Sequence, residues 1–207
     1  ATAAVAQLPK FLACSPTNAG EESACLDKFL DGFAKRAWRR PLTAPEKENL
    51  KGAFAEGRTK TFADGIQAVM QVLLISPQFL YRDEQALAAV PVPVVTLGGF
   101  ELASRLSYFL WGTMPDEQLL EAAANGALDT PEGLEAEARR MLADGKSVDG
   151  AMRFFSNWLF LEGVENTEKN TAVYPQFTPA LAQAWRTSLE LYVKDVLAHD
   201  GTLTALL

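Results

Sequence analysis

Three carboxylates, Glu101, Asp116 and Glu117, flank Trp111 in the run Glu-Leu-Ala-Ser-Arg-Leu-Ser-Tyr-Phe-Leu-Trp-Gly-Thr-Met-Pro-Asp-Glu. Paired acids across a cleft can hydrolyse a sugar polymer, one as the acid and the other as base or nucleophile. The same residues have an architectural use. Glu101 has Arg105 one helical turn on, and Asp116 and Glu117 follow Pro115 in the first turn of a helix, where acids complement the dipole. On a helix, Glu101, Ser104, Arg105 and Tyr108 share one face and Leu102, Leu106 and Phe109 another. Glu101, Arg105 and Asp116 therefore read as a polar stripe that fixes a helix in a bundle, and no catalytic residue is assigned.

A second cluster, Arg36, Arg39 and Arg40, surrounds Trp38 in Lys-Arg-Ala-Trp-Arg-Arg-Pro. Guanidinium forks hold carboxylates in two places at once, so this is a candidate interaction or anion patch, suited to a propionate or an acidic partner surface. It could equally satisfy the carbonyls at the end of its own helix and pair with acids across a domain boundary. His199 is the only histidine, which excludes a multi-histidine metal site, and its place beside Asp200 near a helix end suits the carbonyl-rich terminus. No metal site is expected. No nucleotide-phosphate glycine motif is present. Trp38, Trp111, Trp158 and Trp185 each sit in an apolar pattern and are expected in the core rather than on a sugar-stacking platform.

Cys14 and Cys25 bracket Ser-Pro-Thr-Asn-Ala-Gly-Glu-Glu-Ser-Ala, a turn-rich segment able to fold back on itself. A disulfide and two buried thiols both remain open, the disulfide being favoured in an oxidising compartment. Neither cysteine has the Cys-X-X-Cys spacing of redox catalysis or haem attachment.

The chain has 207 residues, 48% of them hydrophobic, enough for one large domain or two small ones. A formal net charge of −7 speaks against a chain-wide attraction to nucleic acid or anionic lipid. No apolar run reaches the roughly 18 residues that span a bilayer. The amino terminus lacks the order of a signal peptide, so an export signal is expected to have been removed or to lie upstream. The start at Ala1 and the stop within Thr-Leu-Thr-Ala-Leu-Leu, which reads as the opening of another helix, make a longer protein the expectation.

Helical periodicity runs through the chain. Leu26, Phe29, Leu30, Phe33 and Ala37 form a stripe that ends at Pro41. Thr43-Ala-Pro-Glu46 has the spacing of a capping box and opens a helix to about residue 57. Phe62, Ile66, Val69 and Leu73 mark the central helix of the first half, with Met70, Val72 and Leu74 on its other sides. Ser76-Pro77 breaks it, and 78–81 adds a turn. Residues 86–96, rich in Pro and Val, read as an extended linker. Further helices are expected over 98–111 and 115–125, the latter closed by Gly126. The next opens at Thr130-Pro131, with Leu134, Ala138, Met141 and Leu142 inward and Glu135 paired to Arg139 outward. Met152, Phe155 and Leu159 mark another. Thr178-Pro179 opens the longest, with Leu181, Trp185, Leu189, Tyr192 and Val196 on its inner face. The class is all-α, about eight helices in two packed helical subdomains with no significant sheet. An N-terminal module covers 1–85 and a C-terminal module 97–207.

From Cys14 and Cys25 through Phe-Ala-Lys-Arg-Ala-Trp-Arg-Arg-Pro-Leu-Thr to Leu-Ile-Ser-Pro-Gln-Phe-Leu-Tyr-Arg, the sequence resembles domain of unknown function 1595. Phe100-Glu-Leu-Ala-Ser-Arg-Leu-Ser-Tyr-Phe-Leu-Trp-Gly-Thr-Met-Pro-Asp-Glu, with Arg140-Met-Leu-Ala-Asp and the Phe-Thr-Pro-Ala-Leu helix, resembles domain of unknown function 1592. Such modules occur in that order in large exported proteins of planctomycetes and myxobacteria, commonly followed by a module with a Cys-X-X-Cys-His haem c site. The resemblance implies a periplasmic or otherwise exported, cytochrome c-associated protein without an assigned activity, and it supports the Cys14–Cys25 bridge. It supplies no catalytic residue. No cofactor is expected within these residues, haem c belonging to a neighbouring domain or a partner. The expected role is a non-catalytic scaffold or interaction module that contacts other domains of the same protein or subunits of an envelope complex. The alternatives are part of an envelope enzyme acting on a glycan, or an electron-transfer module docking a cytochrome c through Arg36, Arg39 and Arg40.

Overall fold

The computed structural model describes residues 12, 14–82, 96–163, 166–170, 172–199, 202 and 204. The expected linker over 86–96 lies outside the described residues except for Thr96, as does most of the expected helix at the carboxyl end. Among the described residues the regular elements are helices and no strand occurs, so the fold is all-α. No helix among them is long and apolar enough to cross a membrane.

Local signals in the sequence start most helices. The Asn18 side chain accepts the Glu21 amide at 3.0 Å and opens α1, Ala19–Phe29. A π-helical turn, Leu30–Ala34, carries the chain without a break into α2, Lys35–Trp38. Arg39, in the left-handed conformation at φ 59°, closes that helix. Thr43 and Glu46 cap each other reciprocally at the start of α3, Ala44–Gly57. Thr61 and Asp64 repeat the device at α4, Phe62–Ile75. Ser76 then caps the single turn α5, Pro77–Leu80. Helix α6 is Gly99–Leu110, and α7, Glu117–Ala124, ends before Gly126 at φ 73°. Helices α8, Pro131–Ala143, α9, Lys146–Trp158, and α10, Pro179–Ala198, complete the series.

The helices belong to two compact units, one within 1–105 and 114–133 and the other within 106–113 and 134–207. In the first, Phe29 and Leu30 pack with Leu50 and Phe54 of α3 and Ile66, Val69, Met70 and Leu73 of α4 in one buried cluster. Helices α3 and α4 come close because glycine leaves the room. A Cβ on Gly57 would lie 2.2 Å from the Ala68 Cβ, and one on Gly65 2.5 Å from the Phe54 ring. Cys14 and Cys25 form a disulfide that ties the segment before α1 to that helix.

The second unit is built around Trp111, which is 2% exposed. Its indole N–H donates to the Met141 carbonyl at 2.8 Å, and Arg153 donates to its backbone carbonyl. Arg140 and Lys146 lie over the ring at 5.7 and 4.4 Å from its centroid. Met141, Met152, Leu161, Ala182, Val193 and Val196 are buried in this unit.

The expected core differs at several positions. Trp158 and Trp185 are 42% and 48% exposed, so only Trp38 and Trp111 of the four tryptophans are core residues. On α10 the buried side chains are Ala182, Val193 and Val196, whereas Leu189 and Tyr192 face outward with Trp185. At 100° per residue, that stripe is turned by about 50° from the one expected through Leu181, Trp185 and Tyr192. Leu142 is also exposed, because it stands at the far edge of the arc that buries Met141.

Candidate functional site

The arginine cluster divides by environment. Arg36 is exposed on α2. Arg39 is 7% exposed, and its guanidinium donates to three carbonyls: Ala37 at 3.2 Å, Gln78 at 2.6 Å and Tyr81 at 2.7 Å. The left-handed turn at Arg39 aims its side chain at α5, whose end it ties down. Arg40 grips Glu46 through both nitrogens, at 2.9 and 2.7 Å, and lies 5.7 Å from the Trp38 ring centroid. The Arg40 bond holds the Glu46 carboxyl down to about 2; partial burial works against this, and the Thr43 amide and hydroxyl assist it.

These residues border a pocket of about 40 Å³ lined by Trp38, Arg39, Arg40, Gln78, Arg82, Phe100, Glu101 and Ser104. It brings together three stretches of the first unit: the arginine cluster, the turn around α5, and the start of α6. Glu101 of the polar stripe thus meets Arg39 and Arg40 of the anion patch at one place. Trp38 is 8% exposed, and its buried indole N–H has no hydrogen-bond partner among the described residues. Gln78, Arg82 and Phe100 are the lining residues that sequence reasoning missed as site residues. Ser104 sits on the same helical face as Glu101, and Arg82 ends Phe-Leu-Tyr-Arg, but nothing in their spacing joins segments so far apart.

The other candidates have internal uses. Asp116 is the N-cap of α7 and accepts the Leu119 amide at 2.9 Å, and Glu117 pairs with Lys35. Arg105 is exposed, and Glu101 has no ion pair among the described residues although Arg105 stands one turn on. His199 ends α10 with Nδ1 2.9 Å from the Asp195 carbonyl oxygen. No group of acids, His and Cys able to hold a metal ion occurs among the described residues. Because Cys14 and Cys25 are bonded to each other, neither thiol fits thioether attachment of haem. A broader, open groove of about 540 Å³ in the second unit is bordered by Thr167, Lys169, Phe177 and Pro179.

Comparison with family models finds two matches. PSD4, protein of unknown function (DUF1592), matches residues 97–207, and PSD5, protein of unknown function (DUF1595), matches residues 25–84. They follow one another in the order that the sequence resemblance gives. No curated protein and no solved structure matches the chain.

Proposed function

Since the chain belongs to the PSD4 family, proteins of unknown function (DUF1592), we propose that it is a non-catalytic helical scaffold and interaction module of an exported, haem c-associated protein or redox assembly. One observation carries this reading: four of the side chains whose types invite chemistry have structural partners. Arg39 holds carbonyls, Arg40 holds Glu46, Asp116 caps a helix and Glu117 pairs with Lys35. The disulfide supports an oxidising compartment such as the periplasm or another part of the cell envelope. Haem c, on this reading, is carried by a neighbouring domain or a partner, and the N-terminal module over 1–85 and the C-terminal module over 97–207 together present the docking surfaces. The alternative of a glycan-acting enzyme loses support at Trp111, whose buried ring offers no stacking face.

The test is to purify the native protein by a tag from the envelope fraction and record the spectrum of what accompanies it. A Soret band in the complex, with haem-bearing subunits lost when this segment is deleted, is expected. An envelope preparation without haem, together with glycan turnover abolished by Glu101→Gln, would replace the scaffold with the enzyme.

A further inference from the structure

The broad groove of the second unit has polar side chains in one stretch of its lining and apolar ones in another. The polar stretch runs from Asn166 to Lys169 and is held by local bonds at either side. The Thr167 hydroxyl donates to the Gly163 carbonyl at 3.2 Å, and the Asn170 side chain accepts the Ala172 amide at 2.9 Å. Between these anchors Glu168 and Lys169 are exposed and border the groove, and neither side chain has an ion pair among the described residues. The apolar stretch is Phe177 and Pro179. The Thr178 hydroxyl accepts the Leu181 amide at 3.2 Å, which fixes Pro179 in the first turn of α10. The Phe177 ring meets the Trp185 indole edge-on, with centroids 5.5 Å apart and planes at 61°, so α10 sets the orientation of this ring as well.

We propose that this groove binds a neutral saccharide, with Glu168 and Lys169 on its hydroxyls and Phe177 and Pro179 against its C–H face. The volume of about 540 Å³ falls within the roughly 300–1,000 Å³ of small-molecule sites, which combine apolar walls with a few polar groups. A carboxylate only accepts and an ammonium only donates, so together they call for a ligand that does both, as a sugar hydroxyl does. A charged ligand would be attracted by one of these residues and repelled by the other, which favours an uncharged one. A pyranose also has a rigid face of C–H groups able to lie on a ring such as Phe177, whereas an extended peptide shares the donors and acceptors without that face. Glu168 is the one carboxylate among the described lining residues, and glycoside hydrolysis ordinarily uses two, so the groove holds a sugar without cleaving it. This function goes beyond the scaffold reading, which needs no ligand here, and it stands or falls whether or not haem accompanies the protein.

The experiment follows the indole ¹⁵N–¹H resonance of Trp185 in the whole 207-residue protein by NMR, because contact with Phe177 makes it a reporter of the groove. Trp185→Phe identifies the signal by its loss. Cellotriose, mannotriose and triacetylchitotriose are added in turn, beside two controls: sorbitol, which has hydroxyls but no ring, and a short uncharged peptide capped at both ends. A saturable shift of the Trp185 resonance with at least one trisaccharide, with sorbitol without effect and the Trp38 and Trp111 signals unmoved, is expected. Glu168→Ala and Lys169→Ala, both at exposed positions, should each weaken that binding several-fold. Phe177→Leu, which keeps an apolar side chain but removes the flat ring, should weaken it as well. A response to the peptide and to no saccharide overturns the proposal in favour of a partner's chain. A Trp185 resonance unmoved by all three trisaccharides, in protein whose Trp38 and Trp111 signals show it folded, also overturns it, as does saccharide binding that both the Glu168 and Lys169 variants leave intact.

Discussion

Arg40 grips Glu46 by both oxygens while Glu46 also accepts the backbone amide of Thr43 at 2.8 Å, so one carboxylate closes a fork and caps a helix. Its pKa is lowered to about 2, first by Arg40 and then by Thr43. The unfolded chain binds this proton more readily, so the stabilisation is fully present above the usual value of 4.5 and is lost as pH falls toward 2. Urea melts between neutral pH and pH 3 should show a fall in stability that Glu46→Gln flattens. At neutral pH that substitution should cost about 1–2 kcal/mol, a modest figure because solvent reaches both side chains. Parallel pH profiles for the two proteins would show that Glu46 is not the group responsible.

Reduction of the Cys14–Cys25 bridge should lower stability by about 3 kcal/mol, since it releases a short loop in the unfolded chain. Calorimetry with and without reductant measures this. Thiol labelling of the native protein without reductant should find no reactive cysteine, and two labelled thiols would contradict the bridge.

Two glycines should respond oppositely to alanine. A Cβ on Gly150 of α9 would stand 1.9 Å from the Leu110 carbonyl oxygen, so Gly150→Ala forces backbone apart and should cost about 1–3 kcal/mol. Nothing lies within 4 Å of a Cβ on Gly52 in α3, and Gly52→Ala should stabilise by about 0.4–1 kcal/mol. Denaturant midpoints for the pair test the packing of α9 against the end of α6.

Trp111→Phe retains most of the buried ring but removes the donor to the Met141 carbonyl. A loss of about 1–2 kcal/mol is expected, with a larger loss of about 3–5 kcal/mol for Trp111→Ala. Equal costs for the two substitutions would mean that the hydrogen bond, not the ring, anchors this unit.

What could be read in advance was local. Thr43-Ala-Pro-Glu46 and Thr130-Pro131 announce helix starts because the residues that make a cap lie within four positions of each other. The buried face of α10 differs from the expected one because Trp185, Leu189 and Tyr192 are as apolar as Ala182 and Val193. Which arc is covered depends on what packs there, not on the helix's own sequence. The pocket was legible only in pieces. Arg39 and Glu101 each stand out in the sequence, but their meeting at one pocket depends on tertiary folding.

The π-helical turn at Leu30–Ala34 acts as a rotational correction. Leu26, Leu30, Ala34 and Trp38 recur every fourth residue and are all buried, a spacing that an unbroken α-helix cannot keep on one side. Twelve steps of 100° would leave Trp38 about 120° out of phase with Leu26. The wider turn advances each of its five residues by less, about 82°, which reduces the offset to about 30°. Removing one residue from this turn would restore regular winding and swing Trp38 and Arg39 off the wall they share, so the phase of this helix sets the position of the pocket.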